Sequence, residues 1–330
     1  MNRSEAIAGF LAQHGFVASR LMPLAQDASY RSYWRLADGT RTAVLMDAPP
    51  PEDISPFLRV AMHLAGIGLS VPEIRAVDVQ AGLLLEEDFG DALYPAVLTA
   101  ENQAELFDAA VDVLVAMHAA PPPHGLPSWG TTEMAATATA TMLDWWWPAM
   151  FGAPAPDAAR TGLAHALDEL LAPLAASARS FVHRDYFAGN LIWLPDRAGL
   201  RRVGVLDFQS AATGHPAYDL ASLIQDARRD ISPALAERSV ARYLAARPEL
   251  DGAAFRQAVT ICAAQRHLRV AGQWVRLARR DGKPHYLAHG PRTWALLQAA
   301  LSAPETAPLA AWMDRWIPPE HRANPPEERT

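Results

Sequence analysis

Residues 181–211 read FVHRDYFAGNLIWLPDRAGLRRVGVLDFQSA. Phe181-Val182 is a short apolar lead-in, and HRDYFAGN is a polar loop. Leu191-Ile192 and the strand-like run Arg202–Leu206 flank a turn built on Pro195, Asp196 and Gly199, a pattern that predicts a short β-hairpin. The second run delivers Asp207. Two carboxylates, Asp185 and Asp207, and the amide of Asn190 therefore lie on loops that one hairpin joins.

That spacing matches a phosphotransferase catalytic loop, H-R-D-x-x-x-x-N, with His183, Arg184, Asp185 and Asn190 at the fixed positions. Asp207-Phe208 follows a strand, in the place of the kinase D-F-G aspartate, with Gln209 where the glycine would be. The chemistry accounts for the residue types. One carboxylate must orient and deprotonate an attacking hydroxyl, while a second carboxylate and an amide oxygen hold hard Mg²⁺ against phosphate. An ordinary hairpin with polar ends is the competing reading. A lone H-x-D would favour it, but loop, strand and second aspartate in this order do not.

The segment GHPAYDLASL, residues 214–223, replaces an activation segment. With it the chain resembles the aminoglycoside phosphotransferase-like kinases, which implies an α+β, two-lobed protein-kinase-like fold. Within them, DASYRSYWRL, AVLMDAPPPED, HRDYFAGNLIWLP, GVLDFQSAATGHPAYDLASLIQDARRD and QRHLRVAGQWVRLARRDGKPHYL resemble the bacterial amino-sugar kinases of cell-wall (peptidoglycan) recycling. These strings run from Asp27 to Leu287. The resemblance implies ATP and Mg²⁺ as cofactors and phosphorylation of N-acetylmuramate and N-acetylglucosamine at the anomeric hydroxyl. It implies an N-lobe over 1–89, mostly β and covering the nucleotide, and a mostly helical C-lobe over 90–330 that carries the catalytic loop and acceptor site, with ATP between them. Asp185 would be the base and touch the acceptor, Asn190 and Asp207 would hold the metal, and His183 and Asp219 would position the loop.

The whole chain sets bounds that agree. Its 330 residues suit two lobes, and half are hydrophobic, enough for a sizeable core. A net charge of −7 argues against nucleic acid or an anionic membrane as partner. The single cysteine, Cys262, allows no intrachain disulfide and no thiolate cluster. No apolar run approaches a membrane span, and no signal-peptide pattern opens the chain. A cytoplasmic monomer is expected, with an amino sugar and ATP as its small-molecule partners.

Several positions depart from the kinase pattern. The nucleotide-covering loop has Ala28 and Ser29 but no glycine. In Ala43-Val44-Leu45-Met46, methionine fills the slot of the phosphate-binding lysine. Arg31 and Arg35, alternating to one strand face with Tyr33 between them, are the candidate replacements, with Arg35 preferred. Glu52 and Asp53 read as caps of a helix over 55–65. Glu86 to Gly90 falls where a hinge would hold adenine, which makes Glu86 and Asp88 nucleotide-site candidates by order alone. Arg266 and Arg269 open a basic stripe on a helix over 255–280 and could pair an acceptor carboxylate. Trp146, in the run Trp145-Trp146-Trp147, could stack on a sugar ring, with simple packing as the alternative. His285 and His289 lack a third ligand, so they make no metal site. Two other functions stay open: an aminoglycoside antibiotic phosphotransferase, whose pocket should be acidic, and a nucleotide-binding pseudokinase or scaffold, which would explain Met46.

Overall fold

The computed structural model describes residues 2–16, 21–24, 31–39, 41–177 and 179–326. A capping box between Asn2 and Glu5 opens helix α1 (Arg3–Gln13), whose Phe10 and Leu11 are buried. Strands β1 (Leu21–Pro23), β2 (Ser32–Asp38) and β3 (Arg41–Asp47) follow, then α2 (Ser55–Gly66), β4 (Ile74–Asp78), β5 (Leu83–Glu86) and the short α3 (Tyr94–Val97). Next come α4 (Gln103–Ala119), β6 (Ser128–Trp129), α5 (Thr131–Thr141), α6 (Trp147–Phe151), α7 (Asp157–Leu171) and β7 (Ser180–Val182). The predicted hairpin is β8 (Leu191–Trp193) with β9 (Val203–Val205). The chain closes with β10 (Ala212–Gly214), α8 (Ala217–Ile224), α9 (Pro233–Ala246), α10 (Gly252–Arg280), α11 (Gly290–Ala300) and α12 (Ala307–Trp316). No helix among the described residues is long and apolar enough to cross a membrane.

Contacts divide the chain into two compact units, residues 1–100 with 189–209, and residues 101–188 with 210–330. The division differs from the expected 1–89 and 90–330, because the hairpin goes with the first unit. Ser70 bridges Gly204 and Leu93 bridges Ile192. The Arg197 guanidinium donates to Ser70 Oγ at 2.8 Å, and the Phe208 ring lies 4.7 Å from Phe57 of α2. Gly204 is obligatory there, since a Cβ would come within 2.3 Å of Ile192 and 2.8 Å of Phe89.

In the first unit the five-stranded antiparallel sheet runs β1-β2-β3-β5-β4. The pleat sends alternate side chains to opposite faces. Leu36, Ala43, Leu45, Leu83 and Leu85 pack with Phe10 and Leu11 of α1 and with Phe16. The register places Tyr33, Arg35, Val44, Met46, Leu84 and Glu86 on the other face.

In the second unit α10 is the central helix, with 17 of its 29 residues buried. It packs against α5, α8 and α11. Gly272 lets its backbone meet Thr141, whose carbonyl oxygen would lie 2.3 Å from a Cβ. A π-turn, Met142–Trp146, joins α5 to α6 there and turns two of the three tryptophans inward. Trp146 is fully buried, donates from Nε1 to Ala323 O at 2.8 Å and packs on Trp294. A sugar-stacking role for Trp146 is therefore corrected: its ring is core. Helix α8 stops at Ile224, and just beyond it Asp226 Oδ1 accepts the Arg228 N–H and forms a turn.

Candidate active site

Asp185 leaves the second unit on a loop whose backbone is braced from behind. Strand β7 pairs with β10 and feeds the loop. Asp219 of α8, completely buried, accepts the backbone N–H of His183 at 2.6 Å and of Arg184 at 2.8 Å. His118 Nε2 lies 3.4 Å from the same carboxylate, with its Nδ1 2.9 Å from Tyr243 Oη. The Tyr186 hydroxyl donates to Ala110 O at 2.8 Å, and the His183 ring meets the Tyr186 ring edge-on. Arg184 is thereby held at φ 74°, a left-handed conformation that a side chain bearing a Cβ adopts only when its surroundings enforce it.

Three arginines set the electrostatics of Asp185. Burial by itself would raise its pKa, but the guanidiniums of Arg269, Arg266 and Arg184 outweigh it and hold the carboxyl below its ordinary value. Arg266 is 3 % exposed, and burial depresses its own pKa. Burial would also lower Arg269, but Tyr218 and Asp185 raise it instead. Arg184 stacks 3.9 Å above the Trp129 ring and Arg269 5.9 Å from it. So α10 turns the first two members of its basic stripe inward to the loop carboxylate.

Asn190 and Asp207 belong to the first unit, and the hairpin aligns them. Leu206 N–H donates to Asn190 O at 2.9 Å, and Asn190 Nδ2 lies 3.4 Å from Asp207 Oδ2. Gln209 Nε2 donates to Asp207 Oδ1 at 2.5 Å, and Asp207 sits at φ 56°. An amide oxygen and a carboxylate, side by side and oriented by neighbours, form a donor set that fits a hard cation. No cluster of three or more His, Cys, Asp or Glu suited to a metal occurs among the described residues, so phosphate and water oxygens would have to complete such a site.

On the inner sheet face Met46 is fully buried. The cation expected near it is better matched by Arg31 than by Arg35. The Arg35 guanidinium is committed to Asp88 Oδ2 at 2.8 Å, Asp91 Oδ1 at 2.7 Å and Gly90 O at 3.1 Å. Asp88 is likewise spent, accepting also from Gly90 N–H at 2.9 Å. Arg31 is 9 % exposed, lies 3.8 Å from Glu52 Oε2, and hydrogen-bonds Tyr33, whose hydroxyl pKa burial and Glu86 raise. Of the two acids read as caps, Asp53 accepts Ser55 N–H at 2.8 Å while Glu52 faces Arg31 instead. Ala28 and Ser29 lie outside the described residues.

An ionised carboxylate on a braced H-R-D loop and a strand-delivered oxygen pair are the parts a kinase-type phosphotransferase uses. The chain belongs to the phosphotransferase enzyme family, which it matches over residues 20–254. It is 40 % identical to the N-acetylmuramate/N-acetylglucosamine kinase of Caulobacter vibrioides, over 97 % of this chain and 98 % of that protein. It is 35 % identical to the Pseudomonas aeruginosa protein of the same name, over 88 % of this chain and 87 % of that one. Among solved structures, a choline/ethanolamine kinase family protein from Mesorhizobium loti superposes with a TM-score of 0.66 at 16 % identity, covering 95 % of this chain and all of that one. A thermostable mutant of aminoglycoside phosphotransferase APH(4)-Ia gives 0.61 at 19 % identity, covering 90 % of this chain and all of that one. The chain is thus a kinase with the two-lobed α+β fold, and ATP is its phosphoryl donor.

Sequence reasoning gave no site role to Arg184, Trp129, Tyr218 or Gln209, and took Glu52 as a helix cap. Arg184 and Gln209 lie inside the quoted stretch, so their proximity to Asp185 and Asp207 was a usable signal. Trp129 and Glu52 carry none, because only tertiary packing brings them to their partners. Arg31→Ala is expected to raise the KM for ATP about tenfold or more, the loss of one charge-assisted contact, with the acceptor KM unchanged. Arg35→Ala should leave ATP affinity near wild type. ATP titrations at saturating acceptor decide between them, and the reverse ranking would return the role to Arg35.

Proposed function

We propose that the enzyme transfers the γ-phosphoryl group of ATP to the anomeric hydroxyl of N-acetylmuramate and N-acetylglucosamine. Asp185 orients that hydroxyl and accepts its proton. Asn190 and Asp207 supply oxygen ligands to Mg²⁺, which when bound neutralises charge on the transferring phosphates. Arg31, backed by Glu52, steadies the nucleotide phosphates. Asp219 keeps the loop backbone in place through the His183 and Arg184 amides.

The observation that carries the acceptor class is the arginine trio at Asp185. A carboxylate held below its ordinary pKa is a weak base, and a weak base is matched to an acidic hydroxyl. The anomeric hydroxyl is more acidic than other sugar alcohols, because the ring oxygen withdraws charge from C1. The same arginines suit the lactyl carboxylate of N-acetylmuramate and repel a polycationic antibiotic. The names of the relatives agree with this reading.

Incubation with ATP and each acceptor, followed by ³¹P NMR, tests it. Both free sugars should give a C1 phosphate, while their methyl glycosides and kanamycin-type antibiotics should react poorly. Arg266→Ala should cost N-acetylmuramate about tenfold or more in kcat/KM and N-acetylglucosamine much less. Phosphate on a methyl glycoside or at the 6-hydroxyl would refute the anomeric assignment. An equal loss for both sugars would remove the carboxylate-binding role and leave the rest.

A further inference from the structure

The second unit holds a cavity that the chemistry above does not use. Its volume is about 310 Å³, and every residue lining it belongs to that unit. Leu174, Leu250, Phe255, Ala258 and Ile261 give it apolar walls. Another wall is His118, whose Nε2 lies 3.4 Å from Asp219 Oδ2. The cavity therefore backs onto the brace of the catalytic loop, and neither Asp185 nor the three arginines beside it line it. Small-molecule sites have this make-up, about 300–1,000 Å³ of largely apolar surface with a few fixed polar groups.

The charged groups of the cavity decide what it takes. Arg247 is engaged by Glu249, and Asp251 is spent on the first turn of α10, where it accepts the Ala253 and Ala254 N–H groups at 2.9 and 3.0 Å. Arg179 differs. Its Nη2 donates to two neutral oxygens, Ser128 Oγ and Thr213 O, each at 2.6 Å, and among the described residues no carboxylate lies within ion-pair distance of it. Glu133 reaches it at one remove, through the Ser128 hydroxyl, and lines a neighbouring cavity instead. His215 stands with Arg179, since the two line both cavities. Its Nδ1 accepts the Ala217 N–H at 3.1 Å, so the ring proton is on Nε2, which has no acceptor among the described residues. Burial, and after it His118, push this imidazole down to about 4, so it is a neutral donor near pH 7. We propose that this cavity binds a small organic monocarboxylate, its carboxylate accepting from Arg179 and from His215 Nε2–H and its apolar body lying on Leu174, Phe255 and Ile261. A phosphate dianion would lack a second unpaired cation, since Arg247 already has its partner. An amino sugar would leave hydroxyls unmet against apolar walls.

Calorimetric titration of the full chain near pH 7 with phenylacetate, phenylacetamide and acetate tests the assignment. Wild type should bind phenylacetate about fivefold more tightly than the neutral amide of the same shape, the worth of a solvent-screened charge pair. It should bind phenylacetate at least about tenfold more tightly than acetate, which has no ring to bury. Arg179→Met should erase the preference for the acid over the amide. Ala254→Trp, at an exposed position of α10 that lines the cavity, should abolish binding. Unchanged circular dichroism melts control for folding in both variants, and the wild-type comparisons stand without them. Undetectable binding of phenylacetate by wild type overturns the proposal, as does equal affinity for the amide or a preference that survives in Arg179→Met. Binding that Ala254→Trp leaves intact would place the ligand outside this cavity. Displacement of phenylacetate by saturating N-acetylmuramate would place it at Arg266 and Arg269, and either result overturns the assignment.

Discussion

Asp185→Asn is expected to lower kcat at least about 100-fold while leaving ATP affinity within about twofold. Asparagine keeps the shape and can still accept one hydrogen bond from the acceptor hydroxyl, but it cannot take the proton. The loop should survive the change, because Asp219 holds it through the His183 and Arg184 amides and not through the Asp185 side chain. The pH profile offers an independent check. Asp185 is held below its ordinary pKa by Arg269, Arg266 and Arg184 against the effect of burial, so the acid limb of kcat/KM should lie below the usual carboxylate range. Removing a cation raises a carboxyl pKa, so Arg269→Met should shift that limb to higher pH. Near wild-type turnover in Asp185→Asn would sink the mechanism. An acid limb that stays put in Arg269→Met would remove Arg269 from it.

Asp207→Asn carries the second large effect. The substitution removes a full negative charge from the proposed cation site and leaves Asn190 beside a neutral amide. The Mg²⁺ concentration for half-maximal activity should rise on the order of tenfold or more, and kcat should fall because charge on the transferring phosphates goes unscreened. Asn190→Ala should act in the same direction but less, since it removes a neutral oxygen. Gln209→Ala tests the orientation of the carboxylate, because Gln209 donates to Asp207 Oδ1. Its effect should fall on Mg²⁺ dependence and not on acceptor KM. Activity titrated against Mg²⁺ for the three variants decides the matter, and an unchanged curve for Asp207→Asn would show that this aspartate does not hold the ion.

The fold and the core of the candidate site were legible because their determinants are local. His183, Arg184, Asp185 and Asn190 lie within one eight-residue loop, and Asp207 follows one hairpin later. A turn, a short strand and a fixed spacing are written in consecutive residues, so the hairpin, Asp207 and the acid on α8 could all be placed before any contact was known. Helical and strand periodicities are local in the same way, and α2 and α10 fall within a few residues of their expected limits, 55–65 and 255–280.

What stayed hidden depends on partners far apart in the chain. Arg31 and Arg35 are equivalent by strand alternation, and only the tertiary structure separates them. Arg35 is drawn to Asp88, 53 positions away, and to Asp91, whereas Arg31 meets Glu52. By sequence Trp146 could stack on a sugar ring or simply pack, and only the π-turn that brings it onto Trp294 and Ala323 decides for packing. By sequence Arg266 and Arg269 read as a pair for an acceptor carboxylate, and only the packing of α10 at the centre of its unit turns them to Asp185. The sequence by itself determined the class of chemistry, since the groups that would perform it are presented by one continuous stretch. Only the tertiary structure decided which cations accompany them, because an ion pair is a relation between distant segments, and its strength depends on folding having removed water from both partners.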